Sequence, residues 1–268
     1  MRRLILSVAL LACFAAPSQA AQGMNLRWDA CMGDGGVLNK NFACDTNVGS
    51  EQLVVSFQTD SVFAPVSGVE FSILVRSPLG SINSWWQFKS SGTCRQTALS
   101  ASAAPLGTPV TCEPLWAGLA SGGLTAYGPY TGYGFVDQYR ILGVYAVAPS
   151  NLVTIAPDIE YFLFRLTLTH AKTVGAGSCE GCTSPVCLGL EYLDFTRPAT
   201  YNPNRITIAT ETSPLSSAAT WQGSPVVSDF YHREGYYTWQ TRDYRVIGCQ
   251  TTSRSQNRTW GSIKSLYR

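Results

Sequence analysis

Two stretches of the chain alternate apolar and polar residues with period two. In VEFSILVR, Val69, Phe71, Ile73 and Val75 fall on one side and Glu70, Ser72 and Arg76 on the other. In YFLFRLTLTH, Phe162, Phe164, Leu166 and Leu168 face one way and Arg165, Thr167 and Thr169 the other. This is the pattern of strands buried on one face. EQLVVSFQ, CRQTALSA, YRILGVYAVA, CLGLEYLDF, RITIAT and YYTWQ are further candidates, separated by turn-forming clusters such as SPLGSIN, APLGTPV and TYNPN. No segment sustains helical periodicity beyond about two turns. The expected fold is all-β, an antiparallel sandwich of jelly-roll or Ig-like type with a short helical tail at the C-terminus. Residues 115–135, LWAGLASGGLTAYGPYTGYGF, are too Gly-rich for a strand core and are expected as a long surface loop.

The N-terminus predicts a compartment. Arg2 and Arg3, the apolar run Leu4 to Ala16 and the small-residue site Ser18-Gln19-Ala20 have the layout of a secretory signal peptide over residues 1–20. LLAC is a competing lipoprotein signal with Cys13 as the acylated residue. No later stretch reaches the roughly 18 apolar residues of a spanning helix. Cleavage after Ala20 removes two arginines and no acid, which leaves 17 Lys and Arg against 17 Asp and Glu. Such a neutral, charge-poor chain lacks the electrostatic footprint of a nucleic-acid binder. The expected layout is a β-sandwich over 21–198, an extension with an aromatic hairpin over 199–249, and a basic linker and tail over 250–268.

Cys31, Cys44, Cys94, Cys112, Cys179, Cys182, Cys187 and Cys249 remain after the leader is removed. An even count behind a signal peptide reads as disulfides, because export destinations are oxidising. Cys31–Cys44 and Cys94–Cys112 close short loops without crossing anything and are the expected local pairs. The trio in SCEGCTSPVC then supplies a partner for Cys249. The competing reading is a zinc site with Cys179, Cys182, Cys187 and Cys249 as four thiolates.

Candidate chemistry is sparse. The histidines are His170, expected at a strand end or in the core, and His232, expected at the surface. No nucleophile elbow, zinc-protease helix, Walker loop or dinucleotide fingerprint is present. Glu160 and Glu191 are the carboxylates for a glycosidase reading, which needs them about 5 to 9 Å apart. In WDACMGDGGVLNKNFACDTN, Asp29, Asp34, Asp45 and Asn47 offer oxygens of the kind Ca²⁺ takes, and apart from this calcium reading no cofactor is expected. The plainer reading is a loop stapled by Cys31–Cys44, worth roughly 3 kcal/mol in the chain-entropy model. Trp85, Trp86, Trp116, Tyr127, Tyr130 and Tyr133 are the candidate ligand-stacking rings. Adjacent in a strand, Trp85 and Trp86 would point to opposite faces, one of them outward.

Five separated motifs, LRWDACMGDGG…NFACDTN, WWQFKSSGTCRQT, CEGCTSPVC, ATWQGSP and NRTWGSIKSLYR, together resemble a group of uncharacterised secreted bacterial proteins with a shared T-W-G-x-I-K-x-L-Y-R ending. The resemblance covers most of the mature chain; Val226 to Ile247 departs from the pattern and reads as an insertion. It implies export and a cysteine-stapled β-domain, and no activity. In pattern the domain is also similar to cohesin and carbohydrate-binding sandwiches of bacterial surfaces. The ending places Trp260, Ile263 and Tyr267 on one helical face with Leu266 beside them, too short to hold a helix alone. It needs a partner, either its own domain or a receptor. The expected function is a non-catalytic exported or cell-surface module that binds protein or glycan, with a carbohydrate-binding module as alternative and a glycoside-active enzyme third.

Overall fold

The computed structural model describes residues 23–88, 92–107, 112–130, 138–209, 216–225, 227–232 and 243–248. The leader, Cys13, Tyr133, Cys249 and the tail residues Trp260, Ile263, Leu266 and Tyr267 lie outside the described residues, as does YYTWQ. Within the described residues the fold is all-β and antiparallel in its main pairings, with no closed barrel and no helix long and apolar enough to cross a membrane.

Two sheets stack. The first comprises β1 (Gly23–Trp28), β3 (Ser50–Gln58), β11 (Tyr161–Thr169) and β6 (Leu99–Ser102) in that order, with β7 (Glu113–Pro114) beside β11. The second runs β2 (Asn39–Lys40), β14 (Ala218–Trp221), β12 (Val186–Thr196), β5 (Gly68–Arg76), β9 (Gln138–Ala146) and β8 (Ser121–Tyr130), with β13 (Arg205–Ala209) also on β12. A short ribbon pairs β4 (Phe63–Val66) with β10 (Val153–Ile155). A hairpin pairs β15 (Val227–His232) with β16 (Asp243–Gly248), and β16 lies against β12.

The alternation of β5 places Val69, Phe71, Ile73 and Val75 in the core, where Phe71 stacks on Phe164 of β11 with ring centroids 4.0 Å apart. Phe57 of β3 meets Phe195 of β12 at 4.9 Å, so inner-face rings of both sheets interdigitate. On β11 the expected face is broken. A bulge between Phe162 and Phe164 turns Phe162 to the outer side, where it packs with Cys31, Val54 and Cys112, and puts Leu163 in the core.

Other expectations change for local reasons. Residues 121–130 of the expected loop form β8, a ten-residue edge strand on β9. Its glycines permit close approach: a Cβ on Gly122 would overlap the Val144 carbonyl of β9. In CRQTALSA only the last residues become strand, β6, because Arg95 bridges to Phe88 and a turn closed by Ala98 N donating to Arg95 O intervenes. Trp85 and Trp86 sit in a single 3₁₀ turn, Ser84–Trp86, and both are buried. The sandwich does not stop at 198, since β13 and β14 both pair with β12.

Gly143 of β9 supports the central stack. A Cβ there would stand 2.5 Å from Phe71 Cε1 and 2.8 Å from the Gly123 carbonyl, and Phe71 is wedged between Tyr145 and Phe164. We expect Gly143→Ala to lower unfolding free energy by about 1–3 kcal/mol, the range for overpacking, as read by urea denaturation.

Candidate functional site

One end of the sandwich is filled by aromatic rings gathered around Trp221 on β14. Trp28, Trp85, Trp86 and Phe42 lie 5.7, 5.3, 5.5 and 6.0 Å from it, centroid to centroid. Phe88 extends the group from Trp86 to Tyr127, which stacks on Tyr139. Three of the indoles find an oxygen: Trp28 Nε1 donates to Thr220 O at 2.8 Å, Trp85 Nε1 to Thr173 Oγ1 at 3.0 Å and Trp221 Nε1 to Cys182 O at 2.7 Å, whereas the Nε1 groups of Trp86 and Trp116 are buried without a hydrogen-bond partner among the described residues. Arg95 inserts its guanidinium 3.5 Å from the centre of the Trp85 ring and donates to the carbonyls of Trp85 and Thr169. Burial pulls Arg95 down to about 9 from 12.5, and it pushes the Tyr127 hydroxyl well above the usual phenol range, so Tyr127 stays a donor to Trp86 O.

Trp85, Trp86, Trp116 and Tyr127 are therefore buried packing residues, which overturns their expected role as ligand-stacking rings. Tyr130 alone among the described candidates stays half-exposed, with the Arg140 guanidinium 3.5 Å from its ring centre.

The disulfides are long-range. Cys31 pairs with Cys112, Cys44 with Cys182 and Cys94 with Cys179, across 81, 138 and 85 residues. Neither expected local pair forms. Cys31 and Cys112 cover Phe162 and Val54 on the outer side of the first sheet, whereas Cys44, Cys94, Cys179 and Cys182 surround the aromatic end. Cys187 is disulfide-bonded too, so these cysteines form bridges and not a four-thiolate zinc site. Closing loops this long contributes on the order of 4–5 kcal/mol each in the chain-entropy model, more than the short loops would have. Among the described residues, the only close group of metal-ligating residue types is Cys31, Asp34 and Cys112, and its two sulfurs are spent on each other.

The Asp-rich loop does not gather its oxygens. Asp29 pairs with Lys40 Nζ at 2.9 Å, Asp34 accepts from the Cys112 amide at 3.3 Å, and Asp45 is exposed. Asn47 Oδ1 accepts from the amides of Thr173 and Val174 at 2.7 and 3.0 Å. No calcium cradle is built from the four. The loop instead wraps a side chain of its own protein. The amides of Met32 and Gly33 donate to Glu160 at 3.0 and 2.8 Å, and Ser56 Oγ donates to it at 2.5 Å. Arg27 lies beneath, donating to the carbonyls of Leu26, Ser216 and Ala218; burial lowers its pKa and Glu160 opposes that shift.

Glu191 belongs to the other outer face. It occupies a bulge in β12, receives both Nε and Nη2 of Arg140 at 2.9 and 3.0 Å, and accepts from Ser72 Oγ. Ser56 and Ser72 both point away from the core, so Glu160 and Glu191 lie outside opposite sheets with the whole core between them. They cannot share a glycosidic bond. Around Glu191 the second sheet carries a polar network. Tyr192 donates to Glu70 at 3.2 Å, and Arg205 bridges Glu70 at 2.9 Å and Asp194 at 3.2 Å. Burial raises Tyr192, and it also raises Asp194 against the pull of Arg205 and Thr207. Glu70 and Ser72 lie on the polar face expected for β5; Arg140, Tyr192 and Arg205 join them there without having been expected, and the polar residues of EYLD were the available signal.

Comparison with known proteins returns no matching family model, no matching curated protein and no matching solved structure.

Non-reducing peptide mapping should recover Cys31–Cys112, Cys44–Cys182 and Cys94–Cys179. Once Cys13 is removed with the leader, Cys187 should appear on the peptide that contains Cys249. Free thiols with stoichiometric zinc would contradict this pattern.

Proposed function

We propose that this protein is exported and acts outside the cytoplasm as a non-catalytic binding or structural module for a protein or glycan of the cell surface. The observation that carries the binding reading is where the accessible chemistry lies. It lies on the outer side of the second sheet, where Glu70 and Arg205 side chains are 44% and 52% exposed beside Tyr130, Arg140, Tyr192 and Asp194. The carboxylates offered for catalysis are each held by hydrogen bonds, Glu160 by the amides of Met32 and Gly33 on the other outer side and Glu191 by Arg140 at the base of this same face. A face of paired charges and tyrosine rings suits a polar partner surface. The long-range disulfides are those of a chain matured in an oxidising compartment, which supports the leader reading. The resemblance to secreted bacterial proteins points the same way.

The test is fractionation of the native host. The full chain should be recovered oxidised and outside the cytoplasm, held on intact cells. Tyr130→Ala with Arg205→Ala should be exported and fold with unchanged melting temperature, yet be shed into the medium. A reduced cytoplasmic chain would sink the export reading. Retention of the double variant equal to the parent would sink the assignment of this face.

The segment TWGSIKSLYR is proposed as an address read by export or attachment machinery, since it is linker-borne and rich in anchor residues. Deleting residues 259–268 should mislocalise the protein while its melting temperature stays the same. A fall in stability with intact localisation would make the segment a clasp on its own domain.

A further inference from the structure

The two ring nitrogens of His170 both face oxygens that accept and cannot donate. Nδ1 lies 2.8 Å from the Val48 carbonyl and Nε2 lies 3.0 Å from Glu51 Oε1. A neutral imidazole has one N–H and serves one of them; the imidazolium serves both. The ring is 6% exposed and stacks on Phe42 at 3.8 Å. On another side the backbone of Gly49 closes over it, so tightly that a Cβ would stand 3.1 Å from Nδ1. A nitrogen lone pair turned toward an oxygen in this setting costs free energy, because little water can replace the lost partner.

A segment of chain depends on that ring. Residues 41–49 join β2 to β3 as an irregular strap. Its first part is fastened covalently by Cys44–Cys182 and by Phe42 against Trp221. Its second part is fastened to residues 170–174 by hydrogen bonds. His170 N donates to Gly49 O at 2.9 Å, Asn47 holds Thr173 and Val174, and Nδ1 meets Val48 O. The Val48 side chain is 80% exposed, so lifting this part forfeits little apolar burial.

The charges around the ring come from separate elements. Glu51 is on β3; Lys40 of β2 holds its other oxygen at 2.8 Å, and Asp29 holds Lys40 in turn. Burial works to lower Lys40, but its bonds to Glu51 and Asp29 outweigh that and raise it, so the lysine stays charged and Glu51 stays paired. Asp45 on the strap and Lys172 on the facing loop carry the other charges of the two segments.

We propose that His170 is a proton-operated latch for residues 45–49. With both nitrogens protonated it ties the strap to β3. When one proton leaves to solvent, the ring keeps the other on Nε2, toward the carboxylate, which is the stronger acceptor. The Val48 bond is lost and residues 45–49 lift, while the disulfide keeps residues 41–44 seated.

Amide hydrogen exchange on the oxidised full chain tests this at about pH 5 and about pH 8, the span over which histidine ordinarily changes charge, after correction for intrinsic exchange. Docking of the strap is read at the amides of His170, Thr173 and Val174, which donate to Gly49 O and Asn47 Oδ1; their protection should fall about tenfold or more at the higher pH, the loss expected for one charge-assisted bond. Amides of β5 and β12 should keep theirs. His170→Phe retains the ring stack without donors, and its strap should be weakly protected and indifferent to pH. A strap equally protected at both pH values in the parent chain, or a pH-dependent loss that persists in His170→Phe, overturns the latch. If the variant does not fold, ring ¹⁵N shifts of the parent decide, with His232→Gln leaving one imidazole signal. Both nitrogens should be protonated at the lower pH and one at the higher; a protonation state that does not change while the strap loosens overturns the proposal.

Discussion

The packing of Trp221 is the contact on which the rest of this structure depends. Its ring stands between Trp28 of the first sheet, the Trp85–Trp86 turn and Phe42 of the strap, so that strands and loops distant in sequence share one buried neighbour. Large aromatic side chains carry most of the burial free energy in a core of this size, and an indole also brings an N–H whose burial costs less when an oxygen meets it. Here the matching oxygens come from the chain around the disulfides: Trp221 donates to the carbonyl of Cys182 and Trp85 to Thr173. The aromatic packing and the Cys44–Cys182 and Cys94–Cys179 bridges are therefore one construction. The bridges hold in place the loops whose oxygens the indoles need.

This arrangement gives the motif residues a physical reading. Trp28, the Trp85–Trp86 pair, Cys94 with Arg95, the cysteines of CEGCTSPVC and Trp221 lie far apart in sequence and meet at one end of the sandwich. Residues that look like a ligand platform in the sequence instead pack against one another. Arg95 shows how closely the space is filled. A guanidinium enters it with Trp85 beneath and two carbonyls at its edge, and burial shifts it far from its ordinary value.

The two outer faces are finished differently. The first sheet is covered at one end by the loop that follows β1, pinned by Cys31–Cys112 and by the amides that cradle Glu160. The second sheet keeps much of its outer side for paired charges, where Arg140 joins Glu191 and Arg205 spans Glu70 and Asp194. Bulges control both faces. The shift between Phe162 and Phe164 sends a phenylalanine outward to sit under a disulfide, and the shift between Leu190 and Tyr192 sends Glu191 outward to meet Arg140.

The alternation legible in the chain was enough for the fold class and for the central strands β3, β5, β9, β11 and β12, because period two depends only on which residues are apolar and on the geometry of an extended chain. The sequence also pointed to disulfides by its even cysteine count, and the seven described cysteines are bridged. Strand β8 escaped it, since its glycines serve close contact with β9 and resemble loop composition when read locally. Only the tertiary structure decided which cysteines pair, which side of the sandwich each carboxylate occupies, and that Trp85, Trp86, Trp116 and Tyr127 are buried. Each of these is a matter of distance between residues far apart in the chain. No local pattern encodes such distances; they exist once two sheets have stacked and the loops have been drawn over their ends.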